Sequence, residues 1–232
     1  MVPFCAMATP SMFNVFETVF QQGLVRPGDA LFDLEVHPRK FLKRYAVACD
    51  EIIGQPSGTY QAYFYTSGGG DALRPGRYLR TKNMHKSDAY RFCLLNPPLG
   101  KPNNSYQVVT VHYVGMVPAT AATTFGGIAW KPLPPTANIM VTVQLSGCTF
   151  LWRTQNGVLE CAHLQPTGGL TGPTLQNQLQ GNGADVYGRN DYGEGRVVTI
   201  VGVRRGAGWK IYAQKFRVLT AEILSVHRIH PA

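Results

Sequence analysis

A thiol directly follows a glycine in Thr142-Val143-Gln144-Leu145-Ser146-Gly147-Cys148, and an imidazole returns fifteen residues later at His163, in Glu160-Cys161-Ala162-His163-Leu164-Gln165. A cysteine attacks as its thiolate, and an ordinary pKa of about 8.5 leaves it mostly protonated at neutral pH. A neighbouring imidazole can take that proton and hold the sulfur as the thiolate, which makes the pair the minimum equipment for nucleophilic acyl chemistry. Gly147 keeps side-chain bulk away from the sulfur, so a substrate group can come close. The Cys148 N–H, with backbone support from Leu145, Ser146 and Gly147, is the candidate donor to an oxyanion.

The element that must bring thiol and imidazole together is a hairpin. Thr154-Gln155-Asn156-Gly157 lies between them, and Asn-Gly is the strongest short hairpin signal a sequence carries. With Asn156 and Gly157 at the turn, Gln155 pairs with Val158, Phe150 with His163 and Cys148 with Gln165. Side chains alternate between faces, so Cys148, Phe150 and His163 share a face and His163 is the diagonal neighbour of Cys148, about 7 Å away. Thr142 has the parity of Cys148 and is the candidate to orient the imidazole through its hydroxyl oxygen.

Other residues compete for the same chemistry. Cys161 shares the face of His163 two residues nearer the turn and is the rival thiol. Cys49 and Cys93 lie among apolar residues and read as core. A zinc site on Cys148, Cys161 and His163 lacks paired ligand spacing and a fourth ligand, so neither metal nor cofactor is expected. His227 and His230 read as surface residues.

Composition sets the frame. With 232 residues, 44% of them apolar and 15% charged, the chain is a folded globular protein able to bury a core. Its 25 glycines and 16 prolines, with many short runs of Val, Ile, Thr and Tyr, favour strands over a helical bundle. The net charge of +9 comes from 22 Lys and Arg against 13 Asp and Glu. It is dispersed over Arg39-Lys40, Lys43-Arg44, Arg77, Arg80, Lys82, Lys86 and Arg204-Arg205, which suits a solvated basic face or an acidic partner. Five cysteines, an odd number without a CxxC pair, argue against a disulfide framework. Residues 1–20 hold no Lys or Arg, and Glu17 interrupts their apolar stretch, so no classical signal peptide is expected. No apolar run approaches the roughly 18 residues of a membrane span.

Along the chain, Phe13, Phe16 and Phe20 recur at helical spacing over Ser11 to Leu24, and Pro27-Gly28 ends that helix. Pro38 opens a second helix over Arg39 to Ile53, stopped by Gly54. Tyr60 to Thr66 is a strand closed by Ser67-Gly68-Gly69-Gly70, where a phosphate loop is excluded because no Gly-Lys-Ser/Thr follows. Arg74 to Leu95 shows no clear period. Strands follow at Tyr106 to Val117 with His112, Ala137 to Gln144, Cys148 to Arg153, Val158 to His163, Arg196 to Arg204, Trp209 to Val218 and Ala221 to His227. Trp130 to Pro135 is a proline-rich bridge, and Thr174 to Gln180 is a short helix. Residues 1–232 read as a single domain, with 1–100 a candidate N-terminal helical or recognition extension.

Thr142-x-x-Leu145-Ser146-Gly147-Cys148 followed by His163 resembles the bacterial toxin glutamine deamidases: the Burkholderia lethal factor and, more distantly, the catalytic domain of the cytotoxic necrotizing factors. A second patch, Tyr187-Gly188-Arg189-Asn190-Asp191-Tyr192-Gly193 with Val197-Val198 and Gly202, matches downstream. The resemblance covers Thr142 to Gln214, and the gap between cysteine and histidine is closer to that of the necrotizing factors. It implies an α+β fold, a sandwich of mixed, mainly antiparallel β-sheets with a few flanking helices. It implies Cys148 as nucleophile, His163 as proton carrier and Thr142 as the orienting residue, working through a thioester acyl-enzyme. It further implies a toxin or effector, secreted or injected into a host cytosol, that deamidates a glutamine of a host protein of the GTPase or translation-factor type; the residues leave its oligomeric state open, with a monomer expected. Nucleic acid would enter only indirectly. Two alternatives stand beside it: a basic module binding nucleic acid or an acidic protein without catalysis, and a cysteine protease or transglutaminase using the same dyad.

Overall fold

The computed structural model describes residues 27–50, 55–66, 89–94, 106–206, 208–217 and 223–231. The expected helix over Ser11 to Leu24, the Ser67 to Gly70 loop and most of Arg74 to Leu95 lie outside these residues. The chain runs α1 (Pro27–Val36), α2 (Pro38–Arg44), β1 (Ala46–Cys49), β2 (Gly58–Thr66), β3 (Ala89–Cys93), β4 (Tyr106–Tyr113) and β5 (Met116–Ala119). It continues with β6 (Lys131–Pro132), β7 (Ile139–Val141), β8 (Thr149–Gln155), β9 (Val158–Pro166) and α3 (Gly172–Leu179). The last elements are β10 (Asp185–Tyr187), α4 (Arg189–Tyr192), β11 (Arg196–Arg205), β12 (Gly208–Arg217) and β13 (Ile223–His230).

Two sheets form. The larger has eight strands in the order β1-β3-β2-β4-β7-β11-β12-β13, and the smaller has the order β10-β8-β9-β5 with β6 beside β9. Most pairings are antiparallel; β1 with β3, β4 with β7 and β5 with β9 are parallel. The fold is therefore mixed and strand-rich with few helices, and its layers follow from which faces are apolar. Met140, Val198, Ile200, Ile211 and Ala213 of the larger sheet pack against Phe150, Trp152, Leu159 and Cys161 of the smaller one. The outer face of the larger sheet carries Val201, Val203, Tyr212 and Val111, covered by Ala30 and Leu34 of α1 and by Phe41 and Leu42 of α2. On the far side, Leu151, Ala162 and Leu164 lie under Leu175 and Leu179 of α3. Alternation of period two along each strand is what lets one residue set face the partner sheet and the next face a helix.

Three expectations are corrected. The helix expected over Arg39 to Ile53 ends at Arg44, and Ala46–Cys49 is a strand buried on both faces. A continuous apolar run of four or five residues has no period of its own, and β-sheet burial decides it. Pro27 opens a helix, as its fixed φ suits a first helical position, where it was expected to close one. The single strand expected over Tyr106 to Val117 is two strands in two sheets, broken at Val114-Gly115. The described part of the first hundred residues is built into the larger sheet through β1, β2 and β3.

Candidate active site

The site lies where the chain crosses twice between the sheets. The first crossing joins β4 to β5 through Val114-Gly115. Gly115 is required there for space: a Cβ would stand 2.8 Å from the Gln55 carbonyl oxygen and 3.2 Å from the Ser57 nitrogen. The second crossing is Thr142 to Cys148, leading from β7 to β8. The strand expected to run on to Gln144 stops at Val141, and the crossing is tied down by Leu145, which exchanges backbone hydrogen bonds of 2.8 and 3.0 Å with Val198 of β11.

The hairpin between thiol and imidazole forms with the expected register. Asn156 and Gly157 take φ of 51° and 76°, the left-handed values of a type I′ turn, and Gln155 pairs with Val158 and Phe150 with His163. The ladder ends at Thr149 with Leu164, one residue short of Cys148, so the expected Cys148 to Gln165 pairing is not part of it. On the other side of β9, Met116 of β5 pairs with His163. Phe150, His163 and Met116 thus form one row across the smaller sheet, facing the larger one. The Cys148 sulfur packs beside this row, 3.7 Å from the Met116 sulfur, and the residue is 5% exposed.

The hydrogen bonds of Thr142 define the state of His163. Its Oγ1 lies 2.7 Å from the Val114 carbonyl oxygen and 2.6 Å from His163 Nδ1. The hydroxyl has one proton and the carbonyl can only accept, so that proton goes to Val114. Thr142 Oγ1 must then accept from an N–H on Nδ1. This leaves Nε2 with its lone pair, and Nε2 is buried without a hydrogen-bond partner among the described residues. His163 is fully buried, and burial pushes its pKa down to about 3. The imidazole is therefore neutral, with Nε2 as its basic nitrogen. Burial opposes a charged ring at this position.

Beside Cys148, Gly147 leaves space among the described residues. A Cβ placed on Gly147 would meet none of the described residues within 4 Å, and Ser146 is exposed while Leu145 is fully buried. The rival thiol Cys161 is fully buried in the intersheet core, and desolvation with nearby Glu160 drives its pKa up. A raised thiol pKa means little thiolate, so Cys161 is a poor nucleophile. Cys49 is likewise buried with its thiol pushed up, while Cys93 is half-buried.

One part of the site was not legible as such. The patch Tyr187 to Gly193 forms the end of β10 and the whole of α4, and it braces the residue that carries the thiol. Tyr192, 2% exposed, donates from its hydroxyl to the Cys148 carbonyl oxygen at 3.0 Å. Burial, followed by the neighbouring Cys148, raises the Tyr192 pKa and keeps it a donor. Asp191 accepts from the Gly188 N–H at 2.8 Å and from Gln176 Nε2 at 2.6 Å, and Gln176 Oε1 accepts from the Asn190 N–H at 2.7 Å. Gln176 is fully buried on α3, so this network links α3 to α4 and through Tyr192 to Cys148. The only sequence signal was the motif match, because the contacts join residues 44 apart.

The remaining candidates are scattered. His227, exposed on β13, contacts Ser225 Oγ through Nε2 at 2.9 Å, His230 is half-buried, and the described basic residues Arg39, Lys40, Lys43, Arg44 and Arg205 are exposed. Among the described residues no three His, Cys, Asp or Glu side chains converge as metal ligands, and no helix is long and apolar enough to cross a membrane. No protein-family model matches the chain, and no curated protein shows significant similarity to it.

Proposed function

We propose that the chain is a cysteine amidohydrolase that converts a glutamine side chain of a host protein to glutamate. The observation that carries this reading is the orientation of His163: Thr142 holds Nδ1 as the donor, and Nε2 is left as a buried base with no partner among the described residues, while Cys148 packs in the same intersheet layer beside Met116, the neighbour of His163. Cys148 attacks the carboxamide carbon as Nε2 takes the thiol proton. The resulting imidazolium, strained by burial, returns that proton to the departing nitrogen, and ammonia leaves from a thioester. Water, activated by the again neutral Nε2, then hydrolyses the thioester to the glutamate carboxylate and regenerates the thiol. A depressed imidazole pKa suits the return step, since it makes the imidazolium a stronger acid.

The resemblance of Leu145-Ser146-Gly147-Cys148 and His163 to toxin deamidases supports glutamine as the substrate side chain and an effector acting in a host cytosol. The test is incubation of wild type and Cys148→Ser with host-cell lysate, followed by mass spectrometry of tryptic peptides. Glutamine-to-glutamate conversion by the wild type alone is expected. Equal conversion by both proteins, or by neither, overturns the reading; cleaved peptides indicate a protease, and crosslinked amines a transglutaminase.

A further inference from the structure

The two peptides flanking the nucleophile are each held by a side contact from outside the crossing segment. The Gly147 carbonyl oxygen packs against Gly172, the first residue of α3: a Cβ there would stand 2.5 Å from that oxygen. Gly172 is not among the glycines at positive φ, so the glycine serves space and not backbone geometry. The Cys148 carbonyl oxygen accepts from Tyr192 at 3.0 Å. Among the described residues the one cis peptide is His230-Pro231, so the Gly147–Cys148 peptide is trans, with its C=O and N–H pointing in opposite directions. With its oxygen turned onto Gly172, the Cys148 N–H is turned away from α3.

We propose that Gly172 and Tyr192 are positioning residues that aim the Cys148 N–H as an oxyanion donor. The inference rests on the amidohydrolase reading and names what fixes its electrostatics. One helix serves both contacts: Gly172 touches the first peptide directly, and Gln176, one turn on, anchors Asp191 and Asn190 beside Tyr192. Preorganisation is what gives an oxyanion donor its value, because a donor that must reorient during the reaction loses the advantage. An added methyl at residue 172 displaces the Gly147 oxygen and rotates the N–H. Loss of the Tyr192 hydroxyl releases the following peptide.

The experiment uses two probes on the full chain. Iodoacetamide alkylates a thiol by displacement at a saturated carbon and develops no oxyanion, whereas p-nitrophenyl acetate acylates it through a tetrahedral oxyanion. Rates at Cys148 are read by peptide mass spectrometry for wild type, Gly172→Ala and Tyr192→Phe, with Cys148→Ala as the blank. The expected result is alkylation within about twofold of wild type and acylation slowed roughly tenfold to a thousandfold. Parallel loss of both rates shows a loosened loop and overturns the inference, as does unchanged acylation. Should Gly172→Ala fail to fold, Tyr192→Phe, which removes one oxygen atom, carries the comparison alone. A wild type whose Cys148 takes up neither probe overturns the amidohydrolase reading and this inference with it.

Discussion

Thr142 Oγ1 and His163 Nδ1 lie 2.6 Å apart, a buried contact that joins the larger sheet to the smaller through the base of the site. Thr142→Val keeps the shape and removes the hydroxyl, leaving a buried N–H and the Val114 carbonyl without it. The expected cost is about 1–3 kcal/mol of stability, read as a shift in urea midpoint. General-base help is worth about 10²–10⁴-fold when intact, so Cys148 alkylation should slow roughly tenfold or more. Thr142→Ser, which keeps the oxygen, should restore most of the rate; equal behaviour of Val and Ser at this position contradicts the orienting role.

Burial of a neutral His163 makes the fold sensitive to acid. The ring stays unprotonated in the folded protein down to about pH 3, but in the unfolded chain it takes a proton near 6.5. The unfolded state therefore binds more protons between these values, and stability falls as pH drops through that window, by up to about 1.4 kcal/mol per pH unit. His163→Gln should flatten the slope of the urea midpoint against pH. Burial pushes His112 down as well, so a residual slope is expected. A variant slope equal to that of wild type would show that His163 is not held neutral.

The same neutrality shapes reactivity. The pH profile of Cys148 alkylation should lack an inflection near the ordinary imidazole value of 6.5, since the ring does not titrate there in the fold. An inflection at that value, lost in His163→Gln, indicates an accessible imidazole and an ion pair with the thiol.

How much of this was legible in the sequence differs by element. The Asn156-Gly157 turn is local chemistry, so it specified the register that puts Phe150 beside His163. Thr142 was found by parity, which survives because Thr142, like Met140, faces the smaller sheet. What failed was tertiary. Tyr45 to Cys49 carries no period of its own, and the Val114-Gly115 break is invisible until Gln55 and Ser57 are seen to press on Gly115. The Tyr192 contact to Cys148 joins distant segments through side chains, which no local pattern encodes.

Two glycines near the site make a contrasting pair. At Gly188 a Cβ would stand 2.7 Å from Gln176 Oε1 and 2.9 Å from Thr149 Oγ1, both fully buried side chains, whereas at Gly147 it would meet none of the described residues within 4 Å. Gly188→Ala should destabilise by about 1–3 kcal/mol through overpacking. Gly147→Ala should stay within about 0.5 kcal/mol of wild type while crowding the approach to Cys148. Thermal melts of the two variants check this, and equal destabilisation contradicts the space at Gly147 beside Cys148.

The most direct test of Cys148 and His163 as an amidohydrolase pair is lysate deamidation carried out in heavy-oxygen water. Hydrolysis of a thioester places one solvent oxygen in each new carboxylate, so the modified peptide from the wild-type reaction should be glutamate carrying a single heavy oxygen. Cys148→Ser and His163→Gln should yield none. Labelled glutamate at the same level in either variant, or no labelled glutamate from the wild type, contradicts the account.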